Sequence, residues 1–175
     1  MLEIELKVRV DALGPVRERL QQFNAESSGR VHEHDIYYNA PHRNFAKTDE
    51  ALRVRYTGGK AVVTYKGAKL KNLGLKAREE LNTAVESGEV FSGILARLGF
   101  IKTAEVNNWR EHYRYGNASI ALDEVEHLGT FVEIEVLADT ETQAATERIE
   151  TIKKELGITG EAILASYLEL LQSGQ

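Results

Sequence analysis

Residues Leu2–Val10 alternate without a break. Leu2, Ile4, Leu6, Val8 and Val10 are apolar, and Glu3, Glu5, Lys7 and Arg9 are charged. A period of two is that of a β-strand, whose successive side chains point to opposite faces. The segment is therefore a strand with one apolar face and one ionic face. Two settings suit such a strand. In one, the ionic face is solvated, as on many antiparallel sheets. In the other it lines an interior, where two carboxylates and a lysine hold a cation beside a polyanion.

The pattern recurs down the chain. Asp11 can cap a helix to about Phe23, with Leu13, Val16, Leu20 and Phe23 as its apolar stripe. Ser27 to Tyr38 is extended, and Asn39 to Glu50 reads as a loop. Ala51–Tyr56 carries Arg53 and Arg55 on one face, and Gly58-Gly59 turns it into Lys60–Gly67, where Thr64 and Lys66 share a face. Ala68 to Leu75 is a loop. Lys76–Thr83 is a strand with Lys76, Arg78, Glu80 and Asn82 on one side. Ser87 caps a helix to Leu98 that turns Val90, Phe91, Ile94, Leu95 and Leu98 inward. Phe100 to Tyr115 is extended, with Asn108, Arg110, His112 and Arg114 on its polar face and Trp109 packed outward beneath a helix. Ala118–Val125 carries Asp123, and Thr130–Leu137 alternates Glu133 and Glu135 with Val132, Ile134 and Val136. Two helices follow, at about Thr142 to Leu156 and Gly160 to Leu171. The total is about eight strands and four helices.

The helices decide which face is inside. Each has an apolar stripe that needs a sheet surface to cover. A sandwich that buried its apolar faces on each other would leave those stripes little to dock on. A closed barrel, apolar outside and ionic inside, satisfies strands and helices together. The expected fold is α+β: an eight-stranded antiparallel β-barrel, or tunnel, with helices packed on its outside. An α/β sandwich with one solvated face is the alternative. Six carboxylates, Glu3, Glu5, Glu80, Asp123, Glu133 and Glu135, then face six bases, Lys7, Arg53, Arg55, Lys66, Arg78 and Arg110. A nucleoside triphosphate brings about −4 and two Mg²⁺ bring about +4, so joint binding keeps the lumen near neutral.

Composition narrows the chemistry. The 175 residues read as a single domain spanning 1–175. There is no cysteine, which excludes disulfides, thiolate metal sites and cysteine nucleophiles. The net charge of −5 argues against a general nucleic-acid binder. No stretch is long and apolar enough to span a bilayer as a helix, so no membrane is expected and the cytoplasm is the default location.

With these residues in place the chain resembles the CYTH family, the triphosphate tunnel metalloenzymes. Glu3, Glu5 and Lys7 match its opening E-x-E-x-K, and Arg53-Val54-Arg55 its paired-arginine strand. Tyr65-Lys66-Gly67, Arg78 with Glu80, and Glu133-Ile134-Glu135 after Asp123 follow in the family's order. Asp35-x-Tyr37-Tyr38 and the Ser166-Tyr167 ending are most similar to the class IV adenylyl cyclase branch. That branch usually carries K-x-R where this chain has Asn108-Trp109-Arg110, with Lys76 and Lys102 as candidate substitutes.

The resemblance implies Mg²⁺ or Mn²⁺ held by Glu3, Glu5, Asp123, Glu133 and Glu135, while Glu80 either binds metal or orients Arg78. It implies a triphosphate gripped by Lys7, Arg53, Arg55, Lys66, Lys76, Arg78 and Arg110, with Glu5, Lys7, Arg110 and Glu135 as catalytic residues. The implied activity is conversion of ATP to cyclic AMP and pyrophosphate. The alternatives are a triphosphatase acting on inorganic triphosphate, thiamine triphosphate or a nucleotide, and a non-catalytic binder of phosphate-rich ligands or RNA 5′ ends. The oligomeric state stays open, a homodimer included.

Overall fold

The structure, a computed structural model, describes residues 2–69, 76–138 and 143–174, with Leu2, Glu3, Lys76 and Ala77 described by backbone alone. The strands are β1 (Leu2–Arg9), β2 (Glu26–Asn39), β3 (Ala51–Thr57), β4 (Lys60–Lys66), β5 (Lys76–Arg78), β6 (Glu80–Val85), β7 (Ile101–Tyr115), β8 (Ala118–Val125) and β9 (Gly129–Ala138). The helices are α1 (Gly14–Gln22), α2 (Phe45–Thr48), α3 (Gly88–Arg97), α4 (Gln143–Glu155) and α5 (Tyr167–Ser173).

One antiparallel sheet runs in the order β5-β1-β9-β8-β7-β2-β3-β4-β6. Its terminal members, β5 and β6, are two halves of one strand, separated only by Glu79. β5 pairs with β1, and β6 pairs with β4. The sheet therefore curls round until its ends meet in a single stretch of chain, giving eight strands around a tunnel, as the alternation predicted. Residues Gly58 and Gly59 both adopt positive φ, 53° and 75°, which the tight β3–β4 turn requires.

The apolar faces point outward, beneath helices. Ile4, Leu6 and Val8 of β1 pack with Val16 and Leu20 of α1 and with Ala145, Ile149 and Ile152 of α4. Tyr38, Val54 and Val63 pack with Leu95 of α3. A third cluster lies on the inner side of the sheet. Tyr37, Val106, Val125 and Phe131 share their strands' faces with the ionic lumen residues, and Tyr167 and Leu170 of α5 cover them.

Several sequence expectations are corrected. The last helix begins at Tyr167, not Gly160. The Ser166 hydroxyl accepts from the Glu169 amide while Glu169 returns to the Ser166 amide, a capping box that starts the helix there. Residues 160–166 instead run along the edge of β1 beyond its pairing with β5, with the Ile163 amide donating to the Lys7 carbonyl at 2.8 Å. Gly160 lies so close to Val8 that a Cβ would collide with it. Helix α1 starts at Gly14 behind Leu13, leaving Asp11 too early to cap it. The expected loop at 39–50 contains α2, capped by Asn44. Residues 70–75 of the expected loop Ala68–Leu75 lie outside the described residues.

Two outward surfaces also differ. Trp109 points outward but is 47% exposed, with the His32 ring tilted against it at 4.7 Å between centroids and the Arg30 guanidinium above it, rather than buried under a helix. On α3, Phe91 and Leu95 face the sheet, while Val90, Ile94 and Leu98 stay exposed. Five apolar residues on one helix specify a broad face, wider than the sheet beneath can cover. No helix among the described residues is long and apolar enough to cross a membrane.

Candidate functional site

The lumen holds a cavity of about 420 Å³, and the predicted residues converge on it from several strands. Glu5 and Lys7 come from β1, Arg53 and Arg55 from β3, Lys66 from β4, Arg78 from β5, Glu80 from β6, Arg110 from β7, and Glu133 and Glu135 from β9. The side chains of Glu3 and Lys76, two further candidates, lie outside the described residues. In the register Glu3 pairs with Arg78 and Leu137, Glu5 with Lys76 and Glu135, and Lys7 with Glu133.

Asp123 stands behind the cavity wall, with no exposure. Its Oδ1 accepts from Arg110 Nε at 2.6 Å and from Asn108 Nδ2 at 2.8 Å. Its Oδ2 accepts from Arg110 Nη2 at 2.5 Å and from the Tyr167 hydroxyl at 2.6 Å. Two forked bonds from one guanidinium fix the plane of Arg110. Arg110 also reaches Glu133. Burial alone would lower the Arg110 pKa, but Asp123 and Glu133 outweigh it and raise it well above its ordinary value. Burial, aided by Glu133 and Asp123, holds the Tyr167 hydroxyl protonated well above the usual tyrosine range.

Lys7 is 2% exposed. Its ammonium lies 3.2 Å from Glu133 and 3.9 Å from Glu5, donates to the Ala165 carbonyl at 3.2 Å, and sits 4.0 Å over the Tyr167 ring. A cation over an aromatic face is favourable when desolvated. The segment entering α5 thus orients the lysine of the opening motif. Lys66 of β4 and Glu80 of β6, opposite each other in the register, form an ion pair.

Two buried carboxylates were absent from the sequence inventory. Asp35 accepts from Arg55 Nε at 2.6 Å, from Arg55 Nη2 at 2.8 Å and from Arg53 Nη1 at 3.3 Å. Glu33 lies 2.8 Å from Arg55 Nη1 and 3.7 Å from Arg110 Nε. Burial pushes Asp35 up, but Arg53 and Arg55 hold it below its ordinary value. Burial likewise pushes Glu33 up, and His112, Arg110 and Arg55 bring it below. Both are therefore ionised. The signal was present: Glu33, Asp35 and Tyr37 share one face of β2 by simple alternation. Tyr167 was marked only by the Ser166-Tyr167 motif, with no role attached, because its partners Asp123 and Lys7 are far away in the chain.

The arrangement has chemical consequences. Among the described side chains, seven carboxylates (Glu5, Glu33, Asp35, Glu80, Asp123, Glu133 and Glu135) meet six cations (Lys7, Arg53, Arg55, Lys66, Arg78 and Arg110). Arg53 Nε and Arg78 Nε are buried donors without a partner among the described residues. A buried unsatisfied donor calls for an acceptor, and phosphate oxygens supply acceptors in the geometry a guanidinium prefers.

Among the described residues, no three carboxylates or imidazoles gather closely enough to enclose a metal ion by themselves. Glu5, Glu133 and Glu135 nevertheless place oxygen-only donors along the β1–β9 wall. Mg²⁺ characteristically binds one or two carboxylates plus substrate phosphates instead of an all-protein cage. The wall fits that mode.

The CYTH domain family model matches residues 1–167. A protein of Methanocaldococcus jannaschii, named "Putative adenylate cyclase MJ0240", is 36% identical over 173 residues, covering 97% of this chain and 98% of its own length. The solved structure of the PH1819 protein from Pyrococcus horikoshii is 36% identical with a TM-score of 0.88, covering 99% of each chain. A structure from Hippeastrum, of "Putative adenylyl cyclase HpAC1", is described as revealing a dominant triphosphatase activity. It shares the fold at 22% identity and a TM-score of 0.73, covering 99% of this chain and 96% of that one.

Proposed function

We propose that this chain, which belongs to the CYTH domain family, is a divalent-metal-dependent enzyme that binds the triphosphate of ATP in its tunnel and cyclises it to cyclic AMP and pyrophosphate. The supporting observation is the cavity itself: six cations, two with unsatisfied buried donors, around a space of about 420 Å³. The cyclase assignment leans on the name of the Methanocaldococcus relative.

Arg53, Arg55, Arg78, Arg110, Lys66 and Lys7 hold phosphate oxygens. Asp35, Glu33 and Asp123 orient three of those arginines before substrate arrives, so little reorganisation is left for the reaction. Glu5, Glu133 and Glu135, with Glu3 and Glu80 as further candidates, would hold Mg²⁺ or Mn²⁺. The seven-to-six balance supports this, since a triphosphate of about −4 enters such a lumen only with accompanying cations. When bound, the metal acidifies a nucleophilic hydroxyl and draws charge from the phosphates. In cyclisation the ribose 3′-oxygen attacks the α-phosphorus, its proton passes to solvent water, and the bond from the α-phosphorus to the bridging oxygen breaks so that pyrophosphate leaves with the bonding electrons. Lys7 and Arg110 stabilise the charge that develops on the departing oxygens.

Hydrolysis of a triphosphate is the second reading. One observation favours it: most residues lining the cavity are charged or polar, with Ala51, Leu137, Tyr37 and Tyr167 as the apolar and aromatic members. Such a wall suits a polyphosphate better than a nucleobase. Incubation with ATP, inorganic triphosphate and thiamine triphosphate, each with Mg²⁺ and with Mn²⁺, separates the readings. Cyclic AMP plus pyrophosphate supports cyclisation. Orthophosphate without cyclic product excludes it in favour of hydrolysis. Binding without turnover in either metal leaves only a phosphate-binding role.

A further inference from the structure

Lys7 and Arg110 meet at one carboxylate. The Lys7 ammonium is 3.2 Å from Glu133 Oε1, and Arg110 Nη2 donates to Glu133 Oε2. Tyr167 joins the same two cations a second time, with a different half of its side chain for each. Its ring lies 4.0 Å from the Lys7 ammonium. Its hydroxyl donates at 2.6 Å to Asp123 Oδ2, the oxygen that also accepts from Arg110 Nη2. The contacts close a circuit that runs from Tyr167 through Lys7, Glu133, Arg110 and Asp123 back to Tyr167. Its members come from five different elements, α5, β1, β9, β7 and β8.

The circuit has little freedom to rearrange. A carboxylate offers about four acceptor positions, and Arg110 Nε, Arg110 Nη2, Asn108 Nδ2 and the Tyr167 hydroxyl fill those of Asp123. Arg110 directs its Nε and Nη2 donors at Asp123 and Glu133, which leaves Nη1 without a hydrogen-bond partner among the described residues, on a side chain that lines the cavity. Lys7 is held at both ends. Its carbonyl accepts from the Ile163 amide at 2.8 Å, and its ammonium donates to the Ala165 carbonyl at 3.2 Å. The capping box of Ser166 and Glu169 then starts α5 at Tyr167, which fixes where that ring enters.

We infer, resting on the triphosphate-binding role proposed for the tunnel, that Tyr167 is a positioning residue for two phosphate-holding cations at once, setting Lys7 through its ring and Arg110 through its hydroxyl and Asp123. Donors fixed before substrate arrives need little reorganisation, and here one side chain from outside the barrel fixes both. The two contributions are separable. Phenylalanine keeps a ring over Lys7 and removes the hydroxyl, whereas leucine removes both.

Calorimetric titration with inorganic triphosphate and Mg²⁺, alongside thermal melts, tests the inference. Tyr167→Phe should weaken binding about fivefold through Arg110. Tyr167→Leu should weaken it about twenty-fivefold, the further loss coming through Lys7. Arg110→Lys keeps a positive charge beside Asp123 but cannot repeat the fork, so in that background Tyr167→Phe should cost less than about twofold. Leu170→Val trims the packing of the same helix and takes no part in the circuit. It should lower the melting temperature and leave affinity within about twofold. A wild type that binds no triphosphate would overturn the tunnel's proposed role and this inference together. With wild-type binding present, the inference alone falls if Tyr167→Phe binds like wild type, if its effect persists undiminished in Arg110→Lys, or if Leu170→Val loses as much affinity as Tyr167→Phe.

Discussion

Asp35→Asn tests whether the arginines of the tunnel are held ready by the carboxylates beneath them. The substitution keeps the side-chain volume and removes the charge. Arg55 loses the anion 2.6 Å from its Nε and 2.8 Å from its Nη2, and Arg53 the one 3.3 Å from its Nη1. Both guanidinium groups then rely on their remaining neighbours, chiefly Glu33 at 2.8 Å from Arg55. Removing one partner of a buried ion pair costs about 3–5 kcal/mol. The lower end, about 3 kcal/mol, applies here because the cavity admits water and Glu33 remains. With an m-value of about 2 kcal/mol per molar urea, the unfolding midpoint falls by about 1.5 M.

The pH dependence follows from Asp35's lowered pKa. Arg53 and Arg55 hold the carboxyl below its ordinary value against the opposing effect of burial. Its contribution is therefore complete above the unfolded pKa of about 3.9 and is lost as pH falls through the lower folded value. The gap between wild type and Asp35→Asn should be full at neutral pH and close in acid. Urea titrations followed by circular dichroism at about pH 7, 5 and 3 measure it. A midpoint shift under about 0.3 M at neutral pH with unchanged m, or a gap that widens in acid, would refute the reasoning.

Other substitutions probe separate links. At Gly88 a Cβ would stand 2.5 Å from Tyr56 Cε1 and 2.8 Å from Ala61 Cβ, so Gly88→Val should destabilise by about 2 kcal/mol, read as a lower urea midpoint. Glu169 is held at about 2 because Lys69 and the Ser166 amide outweigh its burial. Glu169→Gln keeps the cap and loses the charge, so at this half-exposed site it should cost under about 1 kcal/mol at neutral pH. That cost should vanish as pH falls from about 4.3 toward the folded value, in thermal melts across that range. Glu5→Gln and Glu135→Gln should each reduce turnover at least about a hundredfold with circular dichroism unchanged. Retained activity would remove those carboxylates from the proposed metal site.

The alternation of β1 was enough to place Ile4, Leu6 and Val8 outside and Glu5 and Lys7 inside, once the helices were counted as needing a surface. The ordered motifs brought ten predicted residues to one cavity. What escaped the sequence was non-local. Tyr167 reaches the lumen because residues 160–166 return along β1, and no local period encodes that return. Glu33 and Asp35 lay on a strand read as extended, with Asp35 noted only within the Asp35-x-Tyr37-Tyr38 motif, although its alternation already set both facing the arginines. The exposed half of α3 was misplaced because periodicity gives a helix an apolar face without saying whether that face is wider than its seat.

Calorimetric titration with inorganic triphosphate, with and without Mg²⁺, on the wild type and on Arg78→Met, reads the central claim without depending on the reaction. The tunnel should bind one triphosphate, more tightly with Mg²⁺, and Arg78→Met should weaken binding at least about tenfold through loss of a buried charged donor. Absence of binding, indifference to Mg²⁺, or unchanged affinity in Arg78→Met would contradict a metal–triphosphate site in the lumen.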